Sequence, residues 1–128
     1  MAERVAAVVP VKRLDSAKSR LAGKLSAGER ATVSLDMLGN VLAQIVQVPA
    51  ISTWLVVSGD GRALTMAREL GGEGLREGEA GLNSALELGR AWAIEQHADA
   101  LLIVLSDLPL LKAGDLAELL TQRSARSP

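Results

Sequence analysis

A chain of 128 residues is about the size of one domain, and 48% hydrophobic against 23% charged residues puts it among globular rather than disordered sequences. Fourteen basic and 15 acidic residues leave a net charge of −1, and Trp54 and Trp92 are the only aromatics. Neither a global field for nucleic acid or an anionic membrane nor a stacking platform for single strands is on offer. The absence of cysteine excludes disulfides, thiolate nucleophiles and thiolate zinc sites, and a single histidine excludes a histidine-cluster metal centre.

The first element is Val5-Ala-Ala-Val-Val-Pro10, a short apolar run that suits a strand buried on both faces and is far below the roughly 20 residues needed to span a bilayer. The expectation is therefore a cytoplasmic protein. From Val11 to Leu25, five cations (Lys12, Arg13, Lys18, Arg20 and Lys24) face one acid, Asp15, without apolar periodicity, which reads as a basic loop. Ser26 with Glu29 three residues later forms a capping box, because hydroxyl and carboxylate each satisfy an orphan backbone N–H. The helix it opens carries an apolar stripe of Val33, Met37, Leu38, Val41, Leu42 and Ile45 and is expected to run from near 27 to near 47.

A second β-branched run, Thr53-Trp-Leu-Val-Val-Ser58, stops at the turn-forming Gly59-Asp-Gly61. Ala63 to Leu70 reads as a short helix ended by Gly71-Gly72, where positive φ is tolerated. Gly74 to Gly81 reads as loop with at most one brief strand. A helix follows near 82–97, with Leu82, Leu86, Gly89 and Ala93 on one side. Leu101-Leu-Ile-Val-Leu105 is the most apolar run and predicts a buried strand near 101–106. A last helix is expected near 113–122, with 123–128 frayed. Strands alternating with helices imply right-handed crossovers, and so a three-layer αβα sandwich with a mainly parallel sheet, as one domain over 1–128.

In open parallel sheets ligands bind beyond the carboxyl ends of the strands, which singles out three loops. The cations after Pro10 can surround a polyphosphate together with backbone amides, or can form a solvated basic face. The loop lacks the glycines of a P-loop or dinucleotide fingerprint. Asp107, closing the most apolar strand, sits where a magnesium ion bridging substrate phosphates needs an oxygen, although an Asp before Leu-Pro also opens turns. Asn83 can hydrogen-bond a base or ribose, or cap the helix it begins. His97 reads as a helix-end residue, both tryptophans as core, and Asp60 as either a crevice or a turn residue.

Taken together, Val9-Pro-Val-Lys-Arg-Leu14, Ala17-Lys-Ser-Arg-Leu-Ala22, Leu25-Ser-Ala-Gly-Glu-Arg30, Gly81-Leu-Asn-Ser-Ala-Leu86 and Leu105-Ser-Asp-Leu-Pro-Leu-Leu111 resemble, in family order, the 2-phospho-L-lactate guanylyltransferases of coenzyme F420 biosynthesis. The resemblance implies a fold like that of the nucleotide-diphospho-sugar transferases. It also implies transfer of GMP from GTP to 2-phospho-L-lactate or phosphoenolpyruvate, with release of pyrophosphate. Lys12, Lys18 and Arg20 would then neutralise the triphosphate and the leaving pyrophosphate, Asp107 would help hold Mg2+, and Asn83, Ser84 and Ser58 would contact substrate. The family's later Gly-Thr-Asn, Ser-Phe…His and Asp-Val-Asp-Thr segments have no counterpart here. The chain is therefore expected to correspond to the N-terminal part of that domain and to be a poor catalyst by itself. A non-catalytic nucleotide-binding or self-associating α/β module is the alternative. A related sugar-phosphate or molybdopterin nucleotidyltransferase would instead carry a Gly-Gly-x-Ser/Thr loop after the first strand.

Overall fold

In the computed structural model, which describes residues 4–12, 26–78, 82–107 and 112–126, the elements run β1 (Val5–Val11), α1 (Ala27–Ile45), β2 (Ile51–Ser58), α2 (Gly61–Glu69), β3 (Glu73–Arg76), α3 (Leu82–Glu95), β4 (Ala100–Ile103) and α4 (Ala113–Arg126). The strands form one parallel sheet in the order β3-β2-β1-β4, so the first strand lies inside the sheet between the second and the fourth. The fold is α/β, as the alternation predicts.

Period-two alternation divides the aliphatic core between two layers. Val5, Ala7, Val9 and Val11 of β1 with Trp54 and Val56 of β2 meet α1, α2 and α4 through Leu38, Leu42, Leu64, Ala67, Leu116 and Leu120. The alternate residues Ala6, Val8, Leu55 and Val57 meet α3 through Ala85, Trp92 and Ala93. Both tryptophans are core residues, and the Trp92 Nε1–H donates to Glu73 Oε2 at 3.1 Å. Gly89 is what brings α3 this close to the sheet: a Cβ there would sit 2.6 Å from Val8 Cγ1.

Helix ends follow their sequence signals. Ser26 Oγ accepts the Glu29 N–H at 3.1 Å and Glu29 Oε1 accepts the Ser26 N–H at 3.0 Å, which completes the capping box. Gly71, at φ +96°, closes α2, with the Gly72 N–H donating to the Ala67 carbonyl at 2.9 Å. His97 plays the corresponding part for α3. At φ 58° it turns the chain into the left-handed region, while the Ala98 N–H reaches the Ala93 carbonyl at 3.1 Å in a Schellman arrangement.

Several elements differ from expectation. The apolar stripe of α1 is rotated: Ala31, Leu38, Val41, Leu42 and Ile45 are buried, whereas Val33 is exposed and Met37 half-buried. On α3, Ala85 and Trp92 join Gly89 and Ala93 on the buried side, and Leu86 is half-buried. Helix α4 continues to Arg126 instead of fraying at 123, because the first residue that opposes a helix is Pro128. The brief strand allowed for between Gly74 and Gly81 does form, one residue earlier, as β3 beside β2.

The largest correction concerns the last strand, which ends at Ile103 rather than near 106 and is only half-buried. Its length is limited by its neighbour. The Val104 N–H donates to the Val8 carbonyl at 3.0 Å, and the next rung of a parallel ladder would run from the N–H of residue 10 to the Val104 carbonyl. Residue 10 is proline and has no N–H, so the ladder stops and the chain turns away at Ser106–Asp107. Its exposure has a separate cause: α3 packs over β1 and β2, leaving Leu101 and Ile103 on its own side of β4 37% and 39% exposed.

Candidate functional site

The carboxyl ends of the strands form a row. Val11 is in register with Ser58, and Ser58 with Arg76, so β1, β2 and β3 end side by side, each about 4.8 Å from the next. Lys12 follows directly on β1 and is exposed at this edge. On the far side of β1, the turn after β4 presents an exposed Asp107. Lys12, on the central strand, thus stands between the carboxylate side of the edge and the β2–β3 side.

On the β2–β3 side, hydrogen bonds fix the backbone. Ser58 is fully buried, and its Oγ accepts the Asp60 N–H at 3.0 Å. Asp60 is the N-cap of α2: Oδ1 accepts the Arg62 N–H at 3.0 Å, and the two carboxylate oxygens take the Arg62 Nε and Nη2 groups at 3.0 and 2.7 Å. The Arg76 Nη1 group reaches across to the Gly59 carbonyl at 2.9 Å, and the Glu77 N–H donates to the Ser58 carbonyl at 3.0 Å. Ser58 lies beneath the turn, where its hydroxyl is the acceptor that holds Asp60 in position. Asp60 is a turn and cap residue engaged bidentately by arginine.

Asn83 is not the cap of α3, since the helix already starts at Leu82 and Asn83 lies in its first turn. Its side chain is exposed and that of Ser84 is half-exposed. Lys18 and Arg20, with the rest of the basic loop from 13 to 25, lie outside the described residues, as do Gly81 and residues 108–111 of the Ser-Asp-Leu-Pro segment. The structure therefore brings Lys12, the Ser58–Asp60 turn, Arg76 and Asp107 to one edge of the sheet.

Sequence reasoning missed Arg76. Its strand, Glu73-Gly-Leu-Arg76, has neither β-branched residues nor alternation, and the only available hint is that a cation follows an apolar residue shortly after a glycine helix stop.

Among the described residues no group of three or more His, Asp or Glu side chains is placed to hold a metal ion. Asp107 alone fits the way Mg2+ is commonly bound, through one or two carboxylates with substrate phosphates and water supplying the remaining oxygens. At the start of α1, hydrogen bonds from Ser26, chiefly its backbone N–H, hold the Glu29 carboxyl below the usual value of 4.5. At the opposite end of the sheet a cleft of about 270 Å3 is lined by Val46, Val48, Trp54 and Gly72, with Glu73 as its one charged residue. It offers no cation to a phosphate. Among the described residues no helix is long and apolar enough to cross a membrane.

Comparison with known proteins places this geometry in context. A family model described as guanylyl transferase CofC like matches residues 5–127. The phosphoenolpyruvate guanylyltransferase of Rubrobacter xylanophilus is 47% identical over 116 residues, covering 91% of this chain and 56% of the relative. That of Sphaerobacter thermophilus is 43% identical over 110 residues, covering 86% and 53%. The chain thus spans about half the length of the curated relatives it matches. Among solved structures, CMP:2-keto-3-deoxy-manno-octonic acid synthetase complexed with CTP superimposes with a TM-score of 0.65 at 22% identity, over 97% of this chain and 48% of the other. A Desulfovibrio desulfuricans G20 protein described as a nucleotide-diphospho-sugar transferase also gives 0.65, at 15% identity, over 97% and 55%. These two likenesses establish the fold.

Proposed function

The chain belongs to the family of CofC-like guanylyl transferases, and from that premise we propose that it transfers GMP from GTP to phosphoenolpyruvate or 2-phospho-L-lactate, releasing pyrophosphate, in coenzyme F420 biosynthesis in the cytoplasm. The observation that carries the reading is the family match over nearly the whole chain. The placement of Lys12 and Asp107 at the carboxyl edge of one parallel sheet, where such folds bind ligands, supports it.

In this reading a phosphate oxygen of the acid attacks the α-phosphorus of GTP. A new P–O–P bond forms, the bond from the α-phosphorus to the bridging oxygen breaks, and that oxygen leaves with pyrophosphate. No covalent enzyme intermediate is needed, so catalysis consists of holding two anions in line and countering the charge that develops on the leaving group. Lys12, as a compact ammonium at the end of the central strand, neutralises phosphate, and Lys18 and Arg20 are assigned the same task on the strength of the family resemblance. Asn83 and Ser84, on the first turn of α3, offer donors and acceptors to the nucleotide. Ser58 acts indirectly by fixing the turn that bounds the site. Mg2+ bound at Asp107 would supply charge neutralisation between the phosphates.

The test combines calorimetry with GTP and a pyrophosphate-release assay using each acid in turn, with the GMP adduct identified by mass. Lys12→Ala and Arg20→Ala are each expected to weaken GTP binding about 10- to 150-fold, the loss of one charge-assisted hydrogen bond. GTP affinity unchanged in both variants, or pyrophosphate release without a GMP adduct of either acid, would overturn the reading.

A further inference from the structure

Arg76 stands at the carboxyl edge of the sheet and has no part in the phosphate chemistry described above. Its side chain is exposed but held: Nη1 donates to the Gly59 carbonyl at 2.9 Å, and a Cβ on Gly61 would stand 3.3 Å from Nη2. The guanidinium therefore lies against the turn between Gly59 and Gly61. No carboxylate among the described residues pairs with it, and both oxygens of Asp60 on that turn are engaged by Arg62 at 3.0 and 2.7 Å. Tying one carbonyl takes one N–H, and the planar fork of a guanidinium has several more to offer.

Its position says what those donors can meet. Val11, Ser58 and Arg76 end their strands side by side, so Arg76 is two strand spacings, about 10 Å, from the strand that leads into Lys12. That is roughly the reach of a nucleotide from its α-phosphate to the far edge of its base. Asp107 is on the opposite flank of β1, so a triphosphate held between Lys12 and Asp107 leaves the β2–β3 flank to the base. On that flank Gly59 and Gly61 present backbone without side chains, which leaves a flat shelf beside the guanidinium. Guanine offers an arginine two adjacent acceptors, O6 and N7, whereas adenine sets N7 beside an amino donor that opposes a second N–H. We infer that Arg76 is a specificity-determining residue that reads the O6 and N7 edge of guanine, with the Gly59 carbonyl fixing the guanidinium in place. The inference rests on the nucleotide reading proposed above and adds to it the group that chooses the base.

Calorimetry of the 128-residue chain with Mg2+ and GTP, 7-deaza-GTP or ATP tests it. 7-deaza-GTP differs from GTP only in losing the N7 acceptor. The unaltered chain is expected to bind 7-deaza-GTP at least about fivefold more weakly than GTP, and ATP up to about 150-fold more weakly. In Arg76→Ala both differences should shrink to within about twofold, chiefly through weaker GTP binding. Arg76→Lys keeps the charge but not the fork, so it should discriminate no better than Arg76→Ala. Circular dichroism of each variant separates a lost contact from a lost fold, and the 7-deaza-GTP comparison needs no variant. Equal binding of GTP and 7-deaza-GTP to the unaltered chain would overturn the inference. So would a loss in Arg76→Ala that is the same for all three nucleotides, which would put the guanidinium on phosphate. Selective GTP binding that survives Arg76→Ala overturns this inference alone, whereas binding of no triphosphate overturns the proposed function with it.

Discussion

The two faces of the sheet are built from strands of equal hydrophobicity but covered by different numbers of helices. Against α1, α2 and α4 the strand residues are closed off, and Leu38, Val41 and Leu42 supply a continuous apolar surface at 0% exposure. Against α3 alone, the cover extends over β1 and β2 and stops short of β4. Burial in this molecule is therefore decided by where a helix lies. The intrinsic apolarity of the strand is a weaker guide, which is why the run richest in leucine and isoleucine is among the more exposed.

Substitutions of matching size on the two faces should separate those causes most clearly. Leu38→Ala on the three-helix face is expected to lower unfolding free energy by about 2–5 kcal/mol, combining lost transfer energy with a cavity. Leu101→Ala in the isolated chain should cost about 1–2 kcal/mol, because more than a third of that residue already meets water. Urea midpoints at constant m-value would read both, and equal losses would break the comparison. Next in size, Gly89→Ala drives a methyl group into Val8 and should cost about 1–3 kcal/mol by lifting α3, the one helix on that face among the described residues. A neutral result would mean that α3 is loosely seated.

The smallest effect belongs to the start of α1. Ser26→Ala should cost about 1 kcal/mol through loss of the cap. Glu29 adds a pH dependence: its carboxyl is held below its ordinary value in the folded chain, so its contribution is complete above the unfolded carboxylate range and is lost as pH falls through the folded value. Thermal melts of Glu29→Ala and the unaltered chain should differ at neutral pH and converge in acid.

The alternation of elements, the capping box, the Gly71 stop and the core tryptophans were legible in the sequence because each depends on neighbours within a few residues. The end of β4 was not, since it follows from a missing N–H at Pro10, a residue remote in sequence. Nor was the burial pattern of α1, where Val33 satisfies the helical period but points beyond the reach of the sheet. Lys12 and Asp107 follow apolar runs that the sequence marks as strands, so their place at the carboxyl edge of the sheet was legible. That the Ser58 hydroxyl accepts the Asp60 N–H was not legible, because a serine closing a strand looks the same in sequence whatever its hydroxyl meets. Arg76 was overlooked because its short strand gives almost no local signal.

The central position of β1 also orders the folding of the chain. It is synthesised before the other three strands described, and β2 and β3 can join it on one side as soon as α1 and α2 have formed between them. Its other side, Val5 to Val8, has no partner until Ala100–Ile103 leave the ribosome. Until then the strand that becomes the interior of the sheet is a bare edge of valine and alanine. Its closure depends on pairing Val5 with Ala100, a contact of long sequence separation, the kind that slows folding and exposes intermediates to aggregation.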